Sequence, residues 1–165
     1  MNTPEQHIEQ DRLTPLRRGG ELLNVNAMLF LLGFLVYHQG AGTGFFTARF
    51  GTLEMVCLYG PILLALIAST ARALTGRLNP ARPFDAATSL CLALGSLWLL
   101  IRFPFDYTHL ADALPTAIRF VLARVTDDVG KVLLALQVII GPISAIQTAR
   151  KYLSIRQREP ESGLR

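Results

Sequence analysis

Charge is scarce in this chain, and four long stretches lack it altogether. Of 165 residues, 17% are Asp, Glu, Lys or Arg, against roughly 25% in an ordinary soluble protein. None of them falls within residues 22–37, 55–71, 86–101 or 132–149. Helices of a soluble domain need a polar face, and these runs mostly lack one, so a soluble domain is excluded.

Other chemistry is also thin. Cys57 and Cys91, the two cysteines, both fall inside apolar runs, where a small packing role is expected rather than a disulfide or a metal pair. The three histidines are His7, His38 and His109. No Ser or Thr in the runs has an adjacent base, so no nucleophile–base arrangement can be drawn and a non-enzymatic protein is expected. A b-type haem needs ligands inside the bundle, and His38 alone lies near a span, so no cofactor is called for. Gly40, Gly42 and Gly44 follow no strand and lack the Lys-Ser/Thr ending of a phosphate loop, which leaves a flexible connection. Phe45 and Phe46 in that connection are expected to dip into the membrane interface. The net charge of +4 comes without a groove-reading or base-stacking module. It therefore points to membrane orientation and anionic lipid headgroups rather than nucleic acid.

What is present is hydrophobic: 51% of the chain. With its flanks, each apolar run approaches the ~20 residues that cross a bilayer. The expected fold is all-α, an integral membrane bundle of four transmembrane helices with an amphipathic extracytoplasmic helix before the last span. The spans should cover about 21–40, 53–74, 86–103 and 129–152, within a membrane domain of about 21–153. Residues 1–20 read as a polar tail and 154–165 as a basic one. Arg17 and Arg18 before an apolar run resemble a signal peptide, but the pair comes late and no A-x-A site follows, so a retained first span is expected. Asp85 is a natural N-cap for span three, and Pro104 ends it.

Basic residues cluster in alternate connections: Arg12, Arg17 and Arg18; Arg72, Arg77 and Arg82; then Arg150, Lys151, Arg156 and Arg158. The positive-inside bias places both termini in the cytoplasm, with a bacterial inner membrane as the expected location. The parity of four spans agrees.

Two patterns mark candidate positions. Gly60-Pro61 and Gly141-Pro142 sit in spans two and four, ahead of Thr70-Ala71-Arg72 and Thr148-Ala149-Arg150. Proline kinks there, with Gln137, are candidate transport positions, since transporters use interrupted helices to expose backbone groups. Structural kinks are the simpler account. No ionisable residue stands in mid-span, which weighs against ion transport. Rows of small residues (Ala65 and Ser69; Ala87, Cys91 and Gly95; Gly141, Ala145 and Ala149) should let the helices approach. Span one, with Ala27 and Gly33 as its few small residues, is expected at the periphery.

Over 115–128, Ile118, Val121, Leu122 and Val125 keep helical phase into the last run, through Val129, Val132 and Leu133. Opposite them stand Arg124, Asp127, Asp128 and Lys131, with Asp127 and Lys131 spaced for an ion pair. An amphipathic helix joined to span four is the simplest reading, and a break at Thr126 the alternative. Together with Arg119, these charges form a candidate interaction surface. Asp106, His109 and Asp112 are spaced so that imidazole and carboxylates could meet around a metal, though solvation at the interface is the simpler account.

The leading expectation is an accessory, anchor or interaction subunit, partnered by the lipid bilayer and by another membrane protein or a second copy. A small oligomeric transporter is the alternative, and a redox or metal-binding subunit the third. Reporter fusions after Thr43, Asn79, Thr108 and Gly163 should read outside, inside, outside, inside; a cytoplasmic signal at Thr43 and Thr108 would reverse the orientation.

Overall fold

The computed structural model describes residues 13–78 and 81–156, with 149 and 151–156 as backbone only. Residues 1–12 and 157–165 of the two expected tails lie outside the described residues, as do Asn79 and Pro80. Among the described residues four long helices make the fold: α1 (Pro15–Ala41), α2 (Thr52–Thr75), α3 (Arg82–Arg102) and α4 (Asp127–Arg156). Two 3-10 helices, Tyr107–Ala113 and Thr116–Val121, lie between α3 and α4. All four long helices are long and apolar enough to cross a membrane. They pack in chain order, α1 on α2, α2 on α3, α3 on α4, and the first 3-10 helix touches both α1 and α4.

The helices start earlier than hydropathy suggests. Residues 15–20 of the expected tail belong to α1, because Thr14 accepts from the Arg17 amide at 3.4 Å and Pro15 opens the first turn. The end is also tied down, with the Leu13 amide donating to Gly76 O at 2.8 Å. Helix α3 begins at Arg82 after Ala81, so Asp85 is a first-turn residue rather than the cap. Its end agrees with the proline rule: Phe103 leaves the helix at φ 35° ahead of Pro104.

Residues 115–128 do not form one amphipathic helix running into the last span. The second 3-10 helix is separate, and α4 starts afresh at Asp127, with the Gly130 amide donating to Thr126 O at 3.1 Å. Three-residue bonds close the backbone instead: Ile118 to Pro115 O, Leu122 to Arg119 O, Val125 to Leu122 O. The period-3.6 stripe breaks because Leu122 and Val125 turn into the core while Ile118, Phe120 and Val121 stay exposed.

Backbone approach divides the bundle. A Cβ on Gly95 of α3 would stand 2.6 Å from the Cys57 carbonyl oxygen of α2. That carbonyl lies four residues before Pro61, whose missing N–H leaves it without an intrahelical donor. The α3 backbone thus packs against the oxygen that the proline frees, a Cα–H···O type of contact worth roughly 0.5–1 kcal/mol. A Cβ on Gly141 of α4 would stand 2.7 Å from Ala93 Cβ and 2.9 Å from Ser89 O. Ser89, Ala93 and Ser96 thus face α4, and Cys91 of the expected small-residue row is exposed. Gly33 of α1, by contrast, meets nothing within 4 Å. Only 6% of the apolar window of α1 is buried, against 22% in α2 and α3. Helices α2, α3 and α4 form the tight unit, and α1 is peripheral.

Gly95→Ala and Gly141→Ala should each lower stability by roughly 1–3 kcal/mol, since backbone or packed side chain blocks the added methyl. Gly33→Ala should be neutral or slightly stabilising, because helix propensity is gained and nothing is displaced. Unfolding in detergent followed by circular dichroism decides this; equal behaviour of all three would remove the distinction.

Candidate functional site

Polar side chains inside the helices gather in two layers, one at the terminal end, where α1 begins and α4 ends, and one at the opposite, loop end. At the terminal end three helices meet on Arg72. Its Nη1 donates to both Asp85 carboxylate oxygens of α3, at 2.6 and 2.8 Å. Its Nε lies 2.8 Å from Glu21 Oε1 of α1, and its Nη2 donates to Ser69 Oγ at 3.0 Å. Ser69 is fully buried and also accepts from Asn24 Nδ2 of α1, at 2.8 Å. Arg18 of α1 closes the layer by donating to the last-turn carbonyls of α2, Ala73 O at 2.6 Å and Leu74 O at 3.1 Å. Charges pair in this way because an isolated ion is costly so close to hydrocarbon.

The loop end is a cap of aromatic rings. Phe45 and Phe105 are 3% and 5% exposed, joined by the Asp106 amide donating to Phe45 O and the Thr47 amide donating to Pro104 O. Phe45 is buried and Phe46 partly buried, both packed into the cap. They cluster with Phe105, Leu35, Leu99, Leu110 and Leu134, where aromatic rings bury large apolar area. His38 is 1% exposed among these rings, between Phe34 and Phe45. Its Nε2 lies 3.2 Å from Leu110 O and its Nδ1 contacts Thr43 Oγ1. Both contacts are satisfied when Nε2 carries the proton. Glu54 of α2 is also buried, accepting from Trp98 Nε1 of α3 and from the Gly51 amide, each at 3.0 Å. Arg102 stands 3.7 Å away.

The expected site residues are dispersed. Pro61 is buried between helices while Pro142 is exposed, so the two prolines do not line one surface. Gly60 meets nothing within 4 Å, and Gly141 holds α4 against α3. Gln137 accepts from Ser96 Oγ at 2.6 Å. On the other candidate surface, Asp127 does not pair with Lys131; its carboxylate accepts from the Tyr107 amide at 2.9 Å and ties α4 to the cap. Lys131 instead lies 3.5 Å from Asp128 and 4.9 Å above the Phe103 ring. Arg119 folds back onto Leu114 O, and Arg124 is exposed.

His109 contacts Asp112 at 2.9 Å, but Asp106 turns to the hydroxyl and amide of Thr108. Among the described residues no group of three or more His, Cys, Asp or Glu is placed to hold a metal ion. The Arg72 junction is what hydropathy missed, since it left Glu21 at the edge of a span. A signal was present: Glu21 with Asn24 and Ser69 with Arg72 are each three apart, at matching depth in antiparallel neighbours.

No protein-family model, curated protein or solved structure matches the chain.

The cap carries a pH dependence outside the spans. Thr108, through its hydroxyl and then its amide, holds the Asp106 carboxyl below its ordinary value of 3.8. A depressed carboxylate stabilises at pH above its unfolded value, and the effect is lost as pH falls through the lower folded value. The protection of the Thr108 amide, taken against its intrinsic exchange rate, should therefore be lost as pH falls below 3.8. Asp106→Asn keeps the acceptor and should hold that protection without the acid loss, while Asp106→Ala should lack it at every pH; an unchanged acid profile in both variants would assign the effect elsewhere.

Proposed function

We propose that this chain is a non-enzymatic integral membrane protein, an accessory, anchor or interaction subunit of a bacterial plasma membrane with both termini in the cytoplasm. The observation that carries this reading is how its buried polar groups are used. His38, Glu54, Ser69 and Ser96, the polar residues buried as a whole among the described residues, are each bonded to a neighbouring side chain or loop. Of the buried polar atoms without a hydrogen bond, Glu21 Oε2 and Arg72 Nε belong to the Glu21–Arg72 ion pair, and Arg82 Nη1 and Thr88 Oγ1 are the others. A transport path or an active centre needs polar groups turned towards a ligand. The His38–Thr43 contact does set a base against a hydroxyl, but the ring is sealed under Phe34 and Phe45. The transporter alternative draws less support, since Gln137 is occupied by Ser96 and Pro142 faces outward.

Two surfaces suit partners. At the loop end Ile118, Phe120 and Val121 are exposed beside Arg119 and Arg124, apolar rings and chains next to cations, a composition fit for a neighbouring membrane protein at headgroup depth. At the terminal end the arginines beside the spans suit anionic lipid headgroups.

Purification in a mild detergent followed by mass spectrometry should recover a stoichiometric membrane partner. Ile118→Ser combined with Phe120→Ser should lower that recovery roughly tenfold or more, the effect of removing a contact hot spot, without changing the melting temperature. Recovery of the chain alone, or equal recovery by the double variant, would overturn the reading.

A further inference from the structure

Helix α1 is fastened by its two ends and barely by its middle, and the two fastenings differ in kind. At the terminal end the bonds are polar and individually releasable. Glu21 meets Arg72, Asn24 meets Ser69, Arg18 meets Ala73 O and Leu74 O, and just before the helix the Leu13 amide meets Gly76 O. From Glu21 to the end of α1, and from the start of α2 to Arg72, each helix rises about 30 Å, the thickness of the hydrocarbon core. These groups therefore sit at the edge of the core, within reach of water and headgroups once separated.

Arg72 is paired twice. Releasing Glu21 leaves its guanidinium with both Asp85 oxygens and Ser69, so no lone charge stays buried. The carbonyls that Arg18 leaves behind are last-turn carbonyls at the helix end, which water can serve.

At the loop end the anchor is His38, 1% exposed inside the aromatic cap. Pulling it out would strip both ring nitrogens of their partners and open the core cluster around Leu35 and Phe45. Between the two ends, no glycine of α1 makes a close backbone contact, in contrast to Gly95 and Gly141.

We propose that α1 is a lateral gate: latched to α2 at the terminal end by Glu21–Arg72 and Asn24–Ser69, hinged at the loop end on the His38 anchor, it swings away from a fixed α2–α3–α4 unit. The motion bares the Ser69–Arg72–Asp85 row to the headgroup region while the cap stays closed. It goes beyond the accessory role and stands whether or not a partner exists.

The test is a pair of distances measured by pulsed electron paramagnetic resonance on the full chain, in nanodiscs of phosphatidylethanolamine and phosphatidylglycerol. In a Cys57→Ala, Cys91→Ala background, spin labels at Leu16→Cys and Leu74→Cys report the terminal end. Labels at Tyr37→Cys and Val56→Cys report the loop end. All four positions are exposed. Glu21→Gln, and separately Asn24→Ala, should shift the terminal pair towards a longer distance and leave the loop pair unchanged. Both variants keep the Arg72–Asp85 pair, so the fold is retained. A terminal distance unmoved in both variants would overturn the gate. So would lengthening of both pairs together, which would mean that the helix detaches rather than hinges.

Discussion

Hydrocarbon offers no hydrogen bonds, so each polar group that enters the bundle has to bring or find a partner inside the protein. Arg72 shows that constraint at its strongest. Its guanidinium donates to the Asp85 carboxylate of α3 and the Ser69 hydroxyl of α2 and pairs as an ion with Glu21 of α1, all at the same depth. Three helices are therefore placed in rotation and in height by one side chain. Glu54 with Trp98 and Ser96 with Gln137 repeat the principle between α2 and α3 and between α3 and α4. Interhelical bonds of this kind average only about 0.6 kcal/mol. Their effect is on register more than on total stability.

Stability comes from approach and from the cap. Gly95 and Gly141 bring α3 against both its neighbours, and Pro61 contributes by freeing the Cys57 carbonyl that α3 covers. At the loop end, rings from two connections form the principal apolar core of a chain whose helices otherwise face lipid. His38 belongs to this core, and the Asp127 carboxylate joins it to α4 through the Tyr107 amide. Tight unit, sealed cap and loosely held α1 thus follow from where small residues, rings and charges happen to fall along the four helices.

Much of this was legible in the residues. Four charge-free runs imply four spanning helices, because backbone and side chains together must suit hydrocarbon. The peripheral place of α1 followed from its bulky composition, and the end of α3 from Pro104. Start points were less legible: Pro15 and Arg82 open helices within polar stretches, where caps and pairing, not hydropathy, decide. The stripe over 115–128 suggested a helix because it had the period of one. The cap overrode it by pulling Leu122 and Val125 inward and using Asp127 as an acceptor.

By itself, then, the sequence determined the number of helices, their apolar character and the alternation of basic connections, since each depends only on the local balance of apolar and charged residues. The tertiary structure alone decided which charges meet. Glu21, Arg72 and Asp85 are far apart in the chain and come together because antiparallel neighbours return to the same depth. It also decided that Phe45 and Phe46 turn inward, that Pro61 is buried and Pro142 exposed, and that Gln137 is occupied. Those outcomes depend on how each helix is rotated against its neighbour, a property of pairs of helices that no single stretch of residues contains.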